Sequence, residues 1–233
     1  MKKLSVLVVA LFLMTSSIYA KGKYSGDVQV HAGASLDNIG VPPSHCQLSL
    51  LGNIDIQSWN FFELNDDISA GFFVSFDGGA GKYLMDKYTT VNRYSGELHT
   101  NYTDPEDLKA AFSFSMLLGP AISFKLGNAA KINIGAGLAV NFIQIIEYAE
   151  KYVYASPWWG KSRYDNYASV GFGLDVNVKF KPDAKVSPVV GYRFSICDCP
   201  FTYVKFPDIK WVSGEGGSAV IKNTAFVGVA FNL

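Results

Sequence analysis

Hydrophobic and polar residues alternate with a period of two along most of the chain, which is the pattern of β-strands that have one apolar face. In seven segments the apolar residues stand at even positions, and in an eighth they stand at odd positions. No charged residue falls on the apolar face of any segment. The segments are residues 28–36, 47–56, 68–76, 112–126, 132–142, 168–180, 186–196 and 225–233. The pattern therefore predicts an all-β protein with eight strands.

The clean apolar faces indicate contact with lipid. A charged side chain on such a face would cost roughly 2–4 kcal/mol at the bilayer midplane. The opposite faces are rich in Gly, Ser and Asn, which suit the filled interior of a small barrel. We therefore expect a closed, antiparallel, up-and-down transmembrane β-barrel.

The connections between the segments alternate in length. Residues 127–131 and 181–185 read as tight turns, and 57–67 as a modest one. The four longer stretches are 37–46, 77–110, 143–167 and 197–224. Short turns at one end and long loops at the other are typical of transmembrane barrels. The strand count rises to ten if one of the long loops contains a hairpin.

Three local features are expected within this frame. Pro120 cannot donate to a ladder, so we predict a β-bulge inside the fourth segment. Asp104-Pro105-Glu106-Asp107 has the cap, the proline and the acidic first turn of a helix. The apolar spacing from Phe142 to Val153 fits either a helix or a strand that continues beyond the membrane.

Both ends of the sequence carry targeting signals. A basic start, an apolar run and small residues up to Ala20 predict a cleavable signal peptide over residues 1–20, followed by one barrel domain over 21–233. The final segment alternates to its last residue. Its spacing of Gly228, Phe231 and Leu233 resembles the insertion signal that barrel-assembly machinery reads.

Composition narrows the partners. Hydrophobic residues make up 49% of the chain, yet after residue 20 no apolar run is long enough to cross a bilayer as a helix. The 20 basic and 20 acidic residues balance, so nothing favours nucleic acid as a partner. Neither a linker nor an internal repeat is visible.

Five charged residues fall on the polar faces and are expected in the lumen. An eight-stranded barrel is only wide enough for its side chains to fill it, so opposite charges there must pair. One interpretation is a polar plug that holds the barrel rigid, and the other is a narrow path for ions or small solutes. The five residues are Asp55, Lys125, Asp175, Lys179 and Arg193.

The histidines and cysteines give no clear catalytic or metal pattern. His31, His45 and His99 are scattered, so we expect no catalytic residues; a hydrolase or acyltransferase is the alternative. Cys46, Cys197 and Cys199 fall near strand ends. In an exported chain Cys46 can pair with either of the other two, or the three remain thiols. Their spacing matches no recognised zinc site, and we expect neither metal nor cofactor.

Aromatic residues mark two connections. Trp158 and Trp159 lie in the third long loop, and Trp59, Phe61 and Phe62 lie in the modest turn. The simplest interpretation is the aromatic girdle found at both membrane interfaces. Alternatively, the exposed aromatic loop binds a host or partner surface.

With a leader, eight alternating strands and the terminal Phe231-x-Leu233 pattern, the chain resembles small bacterial outer-membrane barrels of the OmpX/Ail-like, OmpA-transmembrane and OmpW-like families. The resemblance implies an outer-membrane location, with periplasmic turns and extracellular loops. It also implies dependence on outer-membrane lipid and on the barrel-insertion machinery. A resemblance to the OmpX/Ail-like family implies adhesion or defence at the cell surface, whereas a resemblance to the OmpW-like family implies passage of small apolar solutes.

The sequence therefore predicts a monomeric, non-enzymatic outer-membrane barrel. Its function would reside in surface loops used for adhesion or interaction, or in a narrow lumen used for passive passage. The alternative is a soluble periplasmic barrel, similar to lipocalins, that binds an apolar ligand. That alternative requires apolar residues inside the barrel and polar residues outside.

Overall fold

A computed structural model describes residues 24–41, 45–91, 98–102, 108–148, 162–204, 211–212 and 218–233. All of its regular structure is strand. The strands are β1 (Tyr24–Val41), β2 (His45–Glu63), β3 (Ile68–Val91), β4 (Leu98–Tyr102), β5 (Leu108–Leu126), β6 (Ala130–Tyr148), β7 (Ser162–Phe180), β8 (Val186–Val204), β9 (Trp211–Val212) and β10 (Ser218–Asn232).

Eight of these strands close into a barrel. Each pairs antiparallel with its neighbours in the order β1-β2-β3-β5-β6-β7-β8-β10, and β10 pairs back onto β1 from Asn232 to Ala219. Closure leaves no free edge along the barrel wall. The predicted fold, a closed eight-stranded antiparallel up-and-down barrel, is therefore confirmed.

The two remaining strands lie beyond the ring at the end opposite the tight turns. β4 pairs with the far end of β3, and β9 pairs with two residues of β8. The hairpin considered for the long loops therefore exists between β3 and β4. It extends one wall of the barrel and adds no strand to the closed ring.

The strands are longer than the alternation predicts. The predicted loop 37–46 is largely taken up by the ends of β1 and β2, and the predicted loop 77–110 by the end of β3, by β4 and by the start of β5. The ladder continues because backbone hydrogen bonds need no apolar face, whereas the sequence pattern ends where outward side chains no longer meet lipid. The turns at the other end are short: 64–67, 127–129 and 181–185.

The predicted facing is confirmed. Apolar residues point outward, and Ile54 and Val227 are 68% and 62% exposed. Their sequence neighbours on the other face point into the barrel and are buried. Within the described ranges, no helix is long and apolar enough to cross a membrane.

One local prediction is wrong, and one alternative that the sequence left open is decided. No bulge forms at Pro120, because the register of β5 with both β3 and β6 is the same on either side of the proline. Because proline has no backbone N–H, β5 loses ladder pairs with β6 near Pro120, but neither strand needs the extra residue of a bulge. Of the two alternatives for the apolar spacing that begins at Phe142, the continuing strand is confirmed, because Phe142–Tyr148 pair with the neighbouring strands as part of β6. The helix expected at 104–107 falls outside the described residues.

Two of the aromatic residues assigned to a membrane girdle, Trp59 and Phe61, lie inside the barrel. Trp59 and Phe61 belong to β2, where odd positions face inward, and both are buried. The Trp59 ring stacks on Phe73 with centroids 4.6 Å apart. Phe62, on the other face, contacts the ring of Tyr24. The alternation of β2 therefore runs through the segment that the sequence suggested was a turn.

Candidate functional site

The centre of the lumen is occupied by an arginine held between carboxylates of different strands. Arg193 on β8 donates from Nε to Asp175 on β7 (2.9 Å) and from Nη2 to Asp55 on β2 (2.8 Å). Asp77 of β3 lies 3.9 Å from Nη1. The arginine side chain is only 4% exposed. We call these four residues the arginine cluster.

A lysine joins the arginine cluster from the neighbouring strand. The Lys222 ammonium on β10 donates to the Asp77 carboxylate and to the hydroxyls of Ser113 and Ser115 on β5. Asn53 donates to the other oxygen of Asp77 at 2.7 Å. Ser115 also donates to Asp77 at 2.7 Å, so this carboxylate is hydrogen-bonded from β2, β5 and β10.

His31 links the arginine cluster to the turn end of the barrel. Its Nδ1 lies 2.9 Å from Asp55 Oδ2, and its Nε2 lies 3.1 Å from the amide oxygen of Gln29. Gln29 in turn donates to Asp27, which forms an ion pair with Lys179 at 2.7 Å. Among the described residues, no hydroxyl or thiol hydrogen-bonds to the imidazole, so it contacts no nucleophile there.

Large side chains fill the space around these charges. Phe73 and Leu117 pack inside the barrel, and Phe226 lies against the His31 ring at 4.4 Å. Each large residue faces an inward glycine, because a Cβ at Gly135, Gly173 or Gly191 would overlap Phe73, Leu117 or Phe226 respectively. The described interior is therefore packed by both charged and apolar groups.

The structure brings together only part of the predicted lumen set. Asp55, Asp175 and Arg193 meet directly, while Lys179 lies nearer the turns with Asp27. Lys125 does not belong to this buried network. It lies at the rim, where its ammonium is 3.4 Å from the exposed Asp183 of the β7–β8 turn.

Several buried charges were missed because they stand just outside the predicted strand segments. Each of them stands at the same odd or even positions as the inward residues of the strand it extends. Continuing the alternation a few residues further would therefore have found them. The missed residues are Asp27, Asp37, Asp77 and Lys222.

The mouth at the turn end contains a cavity of about 520 Å³. Lys125, Lys131 and Lys179 line it, together with the rings of Tyr24 and Phe61. Several carboxylates of the turns also reach it. The lumen beyond this cavity is occupied by Trp59 and the arginine cluster, both of which are buried.

The remaining predicted site residues lie apart from the lumen charges or outside the described part of the chain. Cys197 is buried and accepts a hydrogen bond from Asn141. The side chains of Cys46 and Cys199 are not described, so the disulfide stays a prediction. Trp158, Trp159 and the leader 1–20 also lie outside the described residues.

The proposed insertion signal lies on the last strand. Phe231 is exposed on the outer face, and Leu233 follows the end of β10. Gly228 pairs with His31, and a Cβ at this glycine would overlap the backbone of β1 and the imidazole. Recognition of these residues by the insertion machinery stays a prediction.

Comparisons with known proteins find similarity only among solved structures. No protein-family model matches the chain, and no curated protein matches it. The attachment invasion locus protein Ail of Yersinia pestis is 9% identical, with a TM-score of 0.44, and the match covers 89% of this chain and 99% of Ail. Neisserial surface protein A is 14% identical, with a TM-score of 0.44 and coverages of 90% and 98%.

The outer membrane protease OmpT of Escherichia coli is also similar. It is 7% identical, with a TM-score of 0.45, and the match covers 90% of this chain and 96% of OmpT. The predicted resemblance to OmpX/Ail-like barrels is confirmed at the level of fold, since the chain is a closed eight-stranded barrel.

The lumen is crossed by buried ion pairs. Its charged groups are bonded to one another across the barrel, from β2 to β8 and from β3 to β10. Breaking one pair by removing a partner typically costs about 3–5 kcal/mol.

Proposed function

We propose that the chain is an integral outer-membrane protein with a plugged lumen, which acts by interaction at the cell surface. The observation that carries the proposal is the arginine cluster, whose buried bonds tie β2, β3, β7 and β8 together across the lumen. If the lumen is closed in this way, the loop end is the surface at which the protein interacts.

The outer surface supports a membrane location. Large apolar side chains are exposed around the barrel, including Ile54 on β2, Phe172 on β7 and Val227 on β10. An exposed apolar surface of this extent is unfavourable in water and is typical of contact with lipid. The soluble lipocalin-like alternative needs the opposite arrangement, with a polar exterior and an apolar interior.

The length of the strands supports action beyond the membrane. A tilted strand needs about 9–11 residues to cross the hydrocarbon core. β1 has 18 residues and β3 has 24. In β3 the additional length, residues 77–91, lies at the loop end, whereas β1 extends beyond its alternating segment by a few residues at both ends. β3 therefore projects at the loop end and carries its connection away from the lipid.

The loop aromatics Trp158 and Trp159 fall in the connection between β6 and β7. We propose that they contribute to contact with a host or partner surface, since exposed tryptophan is enriched in the cores of protein interfaces. This role rests on sequence alone.

Liposome swelling tests the plug. The purified chain is refolded into liposomes, which are then placed in isotonic solutions of small sugars or amino acids. Because buried ion pairs close the lumen, we expect swelling no faster than that of empty liposomes, with a general porin as the positive control. Swelling above the empty-liposome rate would contradict the plug and would favour the alternative of passive solute passage.

A further inference from the structure

Three neighbouring strands place lysines at the same level of the turn-end mouth. Lys125 on β5 stands directly opposite Lys131 on β6, and Lys131 stands directly opposite Lys179 on β7. All three line the mouth cavity. Like charges directly opposite each other destabilise a sheet. The row therefore needs anionic partners.

The protein supplies these partners unevenly. Lys179 is neutralised by the buried carboxylate of Asp27 at 2.7 Å. Lys125 is 3.4 Å from Asp183, whose side chain is 68% exposed. Exposed ion pairs of this kind contribute little to stability. Within the described part of the chain, the Lys131 ammonium has no ion-pair or hydrogen-bond partner.

The environment of Lys131 holds its ammonium in place. The ammonium lies over the ring of Phe61, 4.4 Å from the centroid, and the side chain is partly buried. A cation–π contact holds a cation without neutralising it. Lys131 therefore keeps its capacity to donate hydrogen bonds to an anion in the cavity.

The cavity suits a ligand with a small anionic group. Its volume of about 520 Å³ lies within the usual range of small-molecule sites. Serine hydroxyls of β1, β3 and β5 also line it. Of the carboxylates there, Asp27 and Asp183 already face lysines. Glu63, Asp66 and Asp67 are exposed to water, and Glu63 and Asp27 attract the Lys131 ammonium, so a bound anion competes with these carboxylates.

We propose that Lys125 and Lys131 bind an oxyanion of the phosphate class in this mouth cavity. The two ammonium groups offer several donors from adjacent strands, and charge-assisted bonds to phosphate are among the stronger hydrogen bonds. The phosphate belongs to a soluble molecule or to an anionic lipid headgroup beside the mouth. The proposal depends only on the geometry of the turn end and holds whether or not the lumen conducts.

A titration with inorganic phosphate tests the site. The full chain is refolded in maltoside micelles, ionic strength is held constant with sodium chloride, and backbone amide signals near Lys125 and Lys131 are followed by NMR. We expect saturable shifts in the unmodified chain. Lys131→Gln should weaken binding about fivefold, as for one lost ion contact at a partly exposed site. Lys131→Arg should retain binding, because it keeps the charge.

Lys185→Gln is the matched control. Lys185 is exposed in the β7–β8 turn at the same end and does not line the cavity, so phosphate affinity should change less than about twofold if the site is local. Heat-modified mobility on gels verifies that each variant is folded. Equal losses of phosphate affinity in Lys131→Gln and Lys185→Gln would show that binding depends only on the overall charge, and would overturn the proposal.

Vesicles separate the two sources of phosphate. The unfolding midpoint in urea is compared in phosphatidylcholine vesicles with and without phosphatidylglycerol. A rise with phosphatidylglycerol that Lys131→Gln abolishes identifies the lipid headgroup. Saturable binding of free phosphate without that rise identifies a soluble ligand. Absence of both effects overturns the proposal, as does a Lys131→Gln variant that is less stable without anions but binds phosphate normally.

Discussion

Arg193 shows at the scale of one residue how the lumen depends on matched charges. Its guanidinium donates to carboxylates of two other strands, and Lys222 provides a second cation at Asp77. Removing one member leaves its partners buried and uncompensated. The free-energy cost of such a loss is much greater than the cost of losing an exposed ion pair.

Replacing Arg193 with methionine should lower the free energy of unfolding by about 3–5 kcal/mol, because Asp55 and Asp175 lose their shared cation. Urea unfolding in phosphatidylcholine vesicles, followed by tryptophan fluorescence, measures the change. Lys125→Met is the matched control. It breaks the exposed pair with Asp183 and should cost no more than about 1 kcal/mol. Equal effects of the two substitutions would show that the cluster is not coupled to folding.

At the scale of the element, strands fit together inside the barrel through inward glycines and large side chains. Gly135 on β6 makes room for the ring of Phe73 on β3, and Gly191 on β8 makes room for Phe226 on β10. The Phe73 ring cannot move freely, because it stacks on the buried Trp59. These glycines are therefore required by close packing inside a narrow barrel.

Gly135→Ala should destabilise the barrel by about 1–3 kcal/mol, because the new methyl group overlaps the fixed Phe73 ring and forces local repacking. Gly78→Ala on β3 is the control. A Cβ there meets nothing within 4 Å, so we expect little change or slight stabilisation. The two variants are compared by their urea midpoints in the same vesicles. If Gly135→Ala matches Gly78→Ala, the interior has more room than the structure shows.

At the scale of the whole molecule, the two ends of the barrel differ. One end has three short turns and both described chain ends, while the other has the long strand extensions and the β3–β4 hairpin. Between them lies the apolar outer surface. From this asymmetry we predict that the turns face the periplasm and that the extensions lie outside the cell.

Epitope tags on intact cells test this orientation. A tag inserted in the connection between β6 and β7 should be labelled by antibody on intact cells, because that connection belongs to the loop end. A tag inserted at Asn65 in the β2–β3 turn should be labelled only after the outer membrane is permeabilised. Labelling of neither tag on intact cells, with recovery in the soluble periplasmic fraction, would favour the lipocalin-like alternative.

The alternating pattern by itself predicted the fold and determined which residues of each strand share a face. Whether a residue stands at an odd or an even position of its strand can be read locally, and a barrel in lipid requires an apolar residue at every second position. The eight segments were therefore readable without knowing which strands are neighbours. The same alternation, continued a few positions beyond each segment, would also have placed Asp77, Lys222 and Trp59 inside the barrel.

Only the tertiary structure decided which inward groups meet. Arg193 bonds Asp55 from 138 positions away, and Lys179 bonds Asp27 from 152 positions away. These partners depend on ring closure and on the stagger of the strands, neither of which leaves a local pattern. The row formed by Lys125, Lys131 and Lys179 likewise exists only because the turns hold three strands in register. The sequence shows the face on which each charge lies, and closure of the barrel determines its partner.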